Sequence, residues 1–139
     1  MKKYRIVEGS KRLIIFLPFL KEGLEFAQKY QYNEIVITSQ PSDSLFGEKY
    51  TLDIDLLSEY KFIKCLILED PCGYIEPCNI NLLSEIKNLE ELRIWTDNQF
   101  YIDFSYFPSL IRAEFYDSNL ICNINHLINL REVHISILR

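Results

Sequence analysis

One short pattern of apolar residues recurs along the second half of the chain. Residues 89–94 read Leu-Glu-Glu-Leu-Arg-Ile, with apolar side chains at the first, fourth and sixth places. Residues 63–68, 110–115 and 130–135 carry apolar side chains at the same places. Because successive side chains of a strand point to opposite sides, each segment is predicted to be a strand with one apolar side. The segments begin 26, 21 and 20 residues apart, which predicts similar strands lying side by side.

This pattern resembles the strand of the leucine-rich-repeat family, L-x-x-L-x-L-x-x-N/C, and the spacings fit the roughly 20–29 residues of its repeats. The segments that lead into the strands also align, since residues 54–60 match 80–86 and, more loosely, 102–107 match 122–127. The resemblance covers residues 52–139. It implies an α/β fold, a short leucine-rich-repeat-like solenoid with a parallel sheet on its concave face and an N-terminal strand–helix cap.

The polar ladder residue departs from the family pattern. In the family this side chain bonds backbone groups of neighbouring coils. Here it falls at the tenth place instead of the ninth, as Cys72, Asn98 and Asn119. The shared lag predicts one extra residue at each strand end, as in a bulge.

Residues 1–51 are predicted to be a diverged N-terminal cap and loop, because terminal repeats of such proteins are atypical. Residues 4–7 and 12–17 are predicted to be strands, 19–30 an amphipathic helix and 32–37 a further strand, parallel to the second. We therefore predict one domain spanning the whole chain.

A loop is predicted at residues 39–52, where Pro41 and Gly47 interrupt the regular pattern. The sequence leaves open whether this loop is a tolerated surface insertion or a binding element.

Charge is spread unevenly along the chain. Residues 1–31 contain seven bases and three acids, a net charge of +4, which leaves −9 for the remainder of a chain whose total is −5. An acidic repeat region repels a phosphate backbone, so we predict no direct binding to nucleic acid. A basic protein surface would be attracted instead.

Nothing in the sequence predicts secretion or membrane insertion. No apolar run approaches the roughly 20 residues that span a bilayer. The run at residues 13–17 is followed by Pro18 and charged residues, without the small-residue cleavage site of a signal peptide. We predict a cytoplasmic location, and hence reduced thiols at the four cysteines. The presence of only two alanines beside many Ile, Asn, Lys and Tyr residues is typical of an AT-rich, bacterial coding sequence.

No motif in the chain specifies a reaction. Cys72 and Cys78 are separated by five residues, whereas paired ligands of structural zinc prefer about two to four. His126 and His134 are the two histidines, and neither belongs to a nucleophile elbow, a phosphate loop or an H-E-x-x-H motif. We predict no catalytic residues, no metal ion and no cofactor, and therefore a protein that is not an enzyme.

The side of the strands opposite the apolar places carries charged and aromatic residues. Trp95 and Tyr116 are predicted to lie next to each other, with arginines and acids around them, which is typical of a protein-binding hot spot. Cross-strand ion pairing is an alternative, purely structural use of the same arginines. The predicted partner-binding residues are Glu69, Asp70, Glu91, Arg93, Trp95, Arg112, Glu114, Tyr116, Asp117, Glu132 and His134.

These observations predict a non-catalytic protein-binding module. By type and charge the chain resembles a bacterial immunity protein, as found in contact-dependent growth inhibition. That resemblance implies binding and inhibition of a cognate, basic toxin domain. The alternative is an adaptor or scaffold repeat protein that binds another cellular protein or a second copy of itself. The sequence leaves open the partner, the oligomeric state, and whether the strand face or the loop at residues 39–52 binds.

Overall fold

A computed structural model of the chain describes residues 2–39, 49–76, 78–116 and 120–136, with the backbone alone at Tyr116, Leu120 and Ser136. It is a mixed α/β protein with a mostly parallel sheet and few helices. The strands are β1 (Tyr4–Ile6), β2 (Arg12–Phe16), β3 (Glu34–Thr38), β4 (Cys65–Asp70), β5 (Glu91–Thr96), β6 (Tyr101–Asp103), β7 (Arg112–Tyr116), β8 (Leu120–Cys122) and β9 (Glu132–Ser136). The α-helices are α1 (Leu20–Tyr30) and α2 (Ile54–Ser58), and 3-10 turns occupy Leu17–Phe19, Ile80–Glu85, Phe104–Tyr106 and Ile124–His126.

Within the described residues, seven strands form the main sheet in the order β1-β2-β3-β4-β5-β7-β9. β1 is antiparallel to β2, and every other neighbouring pair is parallel. The register places Cys65 opposite Glu91, Glu91 opposite Arg112 and Arg112 opposite Glu132. These pairs reproduce the spacings of 26, 21 and 20 residues, so the predicted side-by-side alignment of the repeated segments is confirmed.

The predicted strand, helix and parallel strand near the N-terminus are also confirmed. α1 buries Leu24 and Ala27 on one side and lies between β2 and β3 in the chain. It approaches β2 closely at Gly23, where an added Cβ would lie 2.6 Å from Ile15 Cγ2. The helix ends at Gln31, which adopts a left-handed conformation with φ of 63°.

Side-chain hydrogen bonds connect distant segments beside the sheet. Asn98 Nδ2 donates to the carbonyl oxygens of Gly73 and Ile75, at 2.7 Å each, which is the kind of backbone contact predicted for that position. Cys72 is exposed, and Asn119 lies outside the described residues. A second ladder was not predicted, in which Asn81 Oδ1 accepts from the Asp103 N–H at 2.9 Å and Asn123 Nδ2 donates to Asp103 Oδ1 at 3.0 Å.

Two short strands, β6 and β8, pair in parallel as a separate small sheet. The sequence did not predict them, because a strand of three residues depends on its tertiary neighbours more than on its own apolar pattern. Much of the predicted loop at residues 39–52 lies outside the described residues, and the question of its role stays open.

The main core lies on one side of the large sheet. Leu66 of β4 is the register partner of Leu92 of β5, and Phe115 of β7 is the partner of Ile94. Leu66, Leu92 and Phe115 are fully buried. Full burial of such a side chain stabilises the fold by about 1.5–3 kcal/mol. Near the N-terminal end, Phe26 packs against Tyr4 and Tyr30, with ring centroids 4.8 and 4.6 Å apart.

Candidate functional site

The side of the large sheet away from the main core is called the open face here. β5 shows how the chain creates it. Leu92 and Ile94 are buried in the core, and the alternate residues Glu91, Arg93 and Trp95 point to the other side. Because the neighbouring strands are paired in register, alternate residues of β2, β3, β4, β7 and β9 join the same face.

The open face over β2, β3 and β4 has a buried apolar centre, beside a half-exposed ion pair in which Arg12 Nη2 lies 3.1 Å from Glu34 Oε1. Val36 is 2% exposed, Cys65 5% and Ile67 7%, and Ile14 packs against them. We call these four residues the apolar half. The sequence places Val36 and Ile67 on the open face, but their burial was not predicted. The strands that carry them are apolar on both sides, as is typical of parallel strands covered on both faces.

The second part, over β5, β7 and β9, is polar and reached by solvent. We call it the charged half, and it consists of Glu91, Arg93, Trp95, Arg112, Glu114, Glu132 and His134. Six of its seven residues are ionisable and one is aromatic. Seven of the eleven predicted partner-binding residues therefore share one contiguous surface.

Ion pairs connect the charged half. Arg93 Nη2 lies 3.3 Å from Glu91 Oε1, and Arg93 Nε lies 3.7 Å from Glu114 Oε2. Across the next pair of strands, Arg112 Nε lies 3.3 Å from Glu132 Oε2, and Glu132 also forms a hydrogen bond with His134. The predicted alternative use of the arginines in cross-strand pairs is thus present. The two arginines and their partners Glu114 and Glu132 are 39–53% exposed, and ion pairs at such exposure contribute little to stability. Glu91 is more buried, at 12%.

These contacts shift the acid–base equilibria of the surface. Burial, reinforced by the hydrogen bond that Cys65 Sγ donates to Glu91 Oε2 at 2.8 Å, raises the pKa of the Cys65 thiol. Burial by itself lowers the pKa of Arg93, but the charges of Glu91 and Glu114 outweigh it and the pKa is raised. The hydrogen bond from His134 lowers the pKa of Glu132. Cys65 is consequently a protonated, unreactive thiol, and the ionised states of Arg93 and Glu132 are favoured.

Asp70 does not belong to this surface, and its prediction as a partner-binding residue is wrong. It is fully buried at the end of β4. Its Oδ1 accepts from Ser39 Oγ and from the Tyr74 N–H, both at 2.7 Å, and its Oδ2 accepts from Thr96 Oγ1 at 2.8 Å and from the Ile75 N–H at 2.9 Å. Strand alternation turns Asp70 inward with Leu66 and Leu68, where four donors replace water around the carboxylate.

Trp95 lies on the open face and is 44% exposed. The register places it opposite Glu69 of β4. Ile94 is opposite Phe115, so Trp95 and Tyr116 follow at the next place of their strands. Contact between the two rings stays a prediction, since of Tyr116 only the backbone is described. Asp117 lies outside the described residues.

The charged half has no enclosed cavity of the kind that binds small molecules. A depression of about 230 Å³ is lined by Glu91, Arg93, Arg112, Ala113, Glu114, Glu132 and His134. Its lining is mostly charged, whereas small-molecule sites are mainly apolar. In the described part of the chain, no three His, Cys, Asp or Glu side chains are grouped so as to hold a metal ion. No helix among those residues is long and apolar enough to cross a membrane.

No family model, no curated protein and no solved structure matches this chain. The geometry of the open face therefore carries the functional interpretation.

Proposed function

We propose that this chain is a non-catalytic protein-binding module whose charged half contacts a protein partner. In this proposal the chain is a single domain, a short leucine-rich-repeat-like solenoid capped by β1, β2 and α1. Support comes from the register of β4, β5, β7 and β9, which repeats every 20 to 26 residues with no offset. The face that such strands share is rigid, because each strand is fixed by its neighbours.

The observation that carries the proposal is the position of Trp95. The chain has one tryptophan, and it is 44% exposed in the charged half, whose other members are ionisable. Burying a Trp side chain provides a large gain in free energy, and an isolated fold gains little by leaving it in water. Tryptophan surrounded by arginines and acids is the residue type that dominates binding energy in protein interfaces.

The charges favour a basic partner. Around Trp95 the acids Glu69, Glu91 and Glu114 outnumber the nearby arginine Arg93. The remainder of the chain beyond residue 31 has a net charge of −9. Acidic surfaces accelerate encounter with basic ones and mimic a phosphate backbone. We therefore propose an immunity protein that acts in the bacterial cytoplasm and blocks a basic toxin domain, as in contact-dependent growth inhibition.

Growth rescue tests this proposal. The protein encoded next to this chain in its source genome would be expressed, as the candidate toxin, in a host with and without the chain. Rescue of growth together with a purified one-to-one complex supports the immunity function. If the toxin still arrests growth and does not bind the purified chain, that function is wrong. Recovery of an ordinary cellular protein instead would support the adaptor alternative.

Trp95→Ala locates the binding surface within that complex. The substitution should weaken binding at least about 30-fold, which corresponds to the roughly 2 kcal/mol of an interface hot spot. Tyr101→Ala is the matched control, because Tyr101 is also an exposed aromatic residue, at 53%, but belongs to the separate small sheet. Equal affinities for both variants would place the interface elsewhere. Calorimetric titration measures the two dissociation constants.

A further inference from the structure

The core is covered differently at the two edges of the large sheet. At the β1 end, Tyr4, Phe26, Tyr30 and Tyr32 form an aromatic cluster over the core. At the β9 end, apolar side chains on the core side are open to solvent: Val133 is 41% exposed and Ile135 50%. Val133 is the register partner of Ala113 on β7, and Ile135 is the partner of Phe115, both of which are buried. The apolar layer of the core thus reaches the surface at β9.

Further apolar side chains are exposed in the segment that precedes β9, where Ile128 is 82% exposed and Ile124 40%. Val133 and Ile135 lie on the same side of β9, and exposed apolar residues that lie together mark interaction sites.

The outer edge of β9 also presents backbone groups. The Glu132 N–H donates to the Ile111 carbonyl at the β7 side, at 3.2 Å. Because alternate residues of a strand turn their backbone groups to opposite sides, those of His134 face β7 as well. The N–H and C=O groups of Val133 and Ile135 face away from the sheet, and in the described part of the chain no strand pairs with that edge. An edge of this kind is a template for another strand.

We propose that a second copy of this chain binds here, by antiparallel pairing of β9 with β9 across a two-fold axis. A reversed copy of β9 matches the original when the pairing is centred on His134. Val133 then lies opposite Ile135 of the second copy, and each such pair exchanges two backbone hydrogen bonds. Apolar side chains meet apolar side chains on the core side, so one strand is its own complement, as an isologous interface requires.

Hydrogen-bond complementarity on the open face favours the same arrangement, since Glu132 and His134 are already hydrogen-bond partners within one chain. Glu132 of one copy lies diagonally across from His134 of the other, within reach of its side chain. The two charged halves become neighbours in one continuous sheet. The inference goes beyond the proposed function and does not depend on it. It concerns the edge of β9, and it is tested by the solution mass of the purified chain alone.

The solution mass of the purified chain, in the presence of a reductant, tests the proposal first. Light scattering or sedimentation at tens of micromolar should give about twice the 16.6 kDa of one chain. Val133→Lys places a charge in the apolar contact and should reduce the mass to that of a monomer. Ile6→Lys is the matched control, since Ile6 is an apolar residue 47% exposed on β1 at the opposite edge, and it should leave the dimer intact.

Disulfide trapping tests the register without relying on Val133. At the centre of the pairing the two copies of residue 134 form a non-hydrogen-bonded pair with Cα atoms about 4.5 Å apart, which a disulfide can bridge. Under mild oxidation His134→Cys should yield a covalent dimer. Glu132→Cys should not, because its counterpart lies about 13 Å away at the rise of an antiparallel strand.

Three results would overturn the proposal. One is a monomeric wild-type chain throughout the micromolar range. Another is a dimer that survives Val133→Lys and fails to cross-link through His134→Cys. The third is a ladder of larger species abolished by Ile6→Lys, which would indicate head-to-tail stacking of β9 on β1. The failure of growth rescue would leave all of these masses unaffected, so the two proposals can fail separately.

Discussion

The apolar half and the charged half of the open face are built on the same backbone but are used differently. Ile67 and Arg93 are direct register partners on neighbouring strands, yet Ile67 is 7% exposed and the Arg93 side chain 39%. β2, β3 and β4 use their second side for additional packing, whereas β5, β7 and β9 expose theirs. The comparison shows that one regular sheet can bury its second side in one part and expose it in another, simply by changing side chains at a strand boundary.

On the core side of the sheet, Asp70 connects the strands that carry the two halves, and its loss should have the largest effect. Its carboxylate connects Ser39 beyond β3 with Thr96 on β5. Asp70→Ala leaves two hydroxyl groups and two backbone N–H groups without their acceptor, so the free energy of unfolding should fall by about 4 kcal/mol. Asp70→Asn retains one acceptor oxygen and should lose about half as much. Urea denaturation measures both changes. Equal losses would mean that Asp70 does not stabilise the fold through these hydrogen bonds.

The pair Ile67→Ala and Arg93→Ala tests the difference between the halves directly. Removing Ile67 deletes buried methyl groups and should lower the free energy of unfolding by about 3 kcal/mol. Removing Arg93, its register partner, should change it by only about 1 kcal/mol, because the Arg93 side chain is 39% exposed and ion pairs at such exposure contribute little. The same denaturation measurement applies. Similar losses for the two variants would contradict the division into a half that stabilises the fold by packing and a half that does not.

The smallest effect is expected for the acid dependence of Glu132. Its pKa in the folded chain is lowered from the ordinary value of 4.5, first by the hydrogen bond from His134. A carboxylate with a lowered folded pKa stabilises the fold above 4.5 and loses that contribution as the pH falls through the folded value. Glu132→Gln should therefore flatten the fall in melting temperature between pH 5 and pH 3, relative to wild type. An unchanged slope would show that the contact does not persist in solution.

Much of the sheet could be predicted from the sequence, because the apolar pattern that defines each strand lies within a few consecutive residues. The apolar places of residues 89–94 and their recurrence after 21 and 20 residues define both the strands and their register. The exposure of Trp95 follows from the same alternation. The apolar run that contains Ile67 and Leu68 also indicates a strand buried on both sides. The alternation of the repeated pattern, in contrast, predicts that the side carrying Ile67 is exposed.

The rest depended on contacts between distant parts of the chain. Asp70 is acidic and follows Glu69 at the end of a strand, so its residue type predicts exposure. Its donors Ser39 and Thr96 lie 31 and 26 residues away, and only the folded chain brings them together. β6 and β8 are likewise defined by each other, since each has three residues and neither has a pattern of its own.

The absence of any offset between neighbouring strands has a geometric consequence for whatever lies on the charged half. Glu91, Arg112 and Glu132 form one column across the strands, and Arg93, Glu114 and His134 form another. Members of a column recur at the strand separation of about 4.8 Å. An α-helix places side chains four residues apart at about 5–6 Å, whereas an extended segment places them at about 6.8 Å on one side. The spacing of side chains on a helix laid across the strands therefore matches the spacing of these columns more closely than that of an extended peptide does. The column of Glu91, Arg112 and Glu132 also alternates in sign.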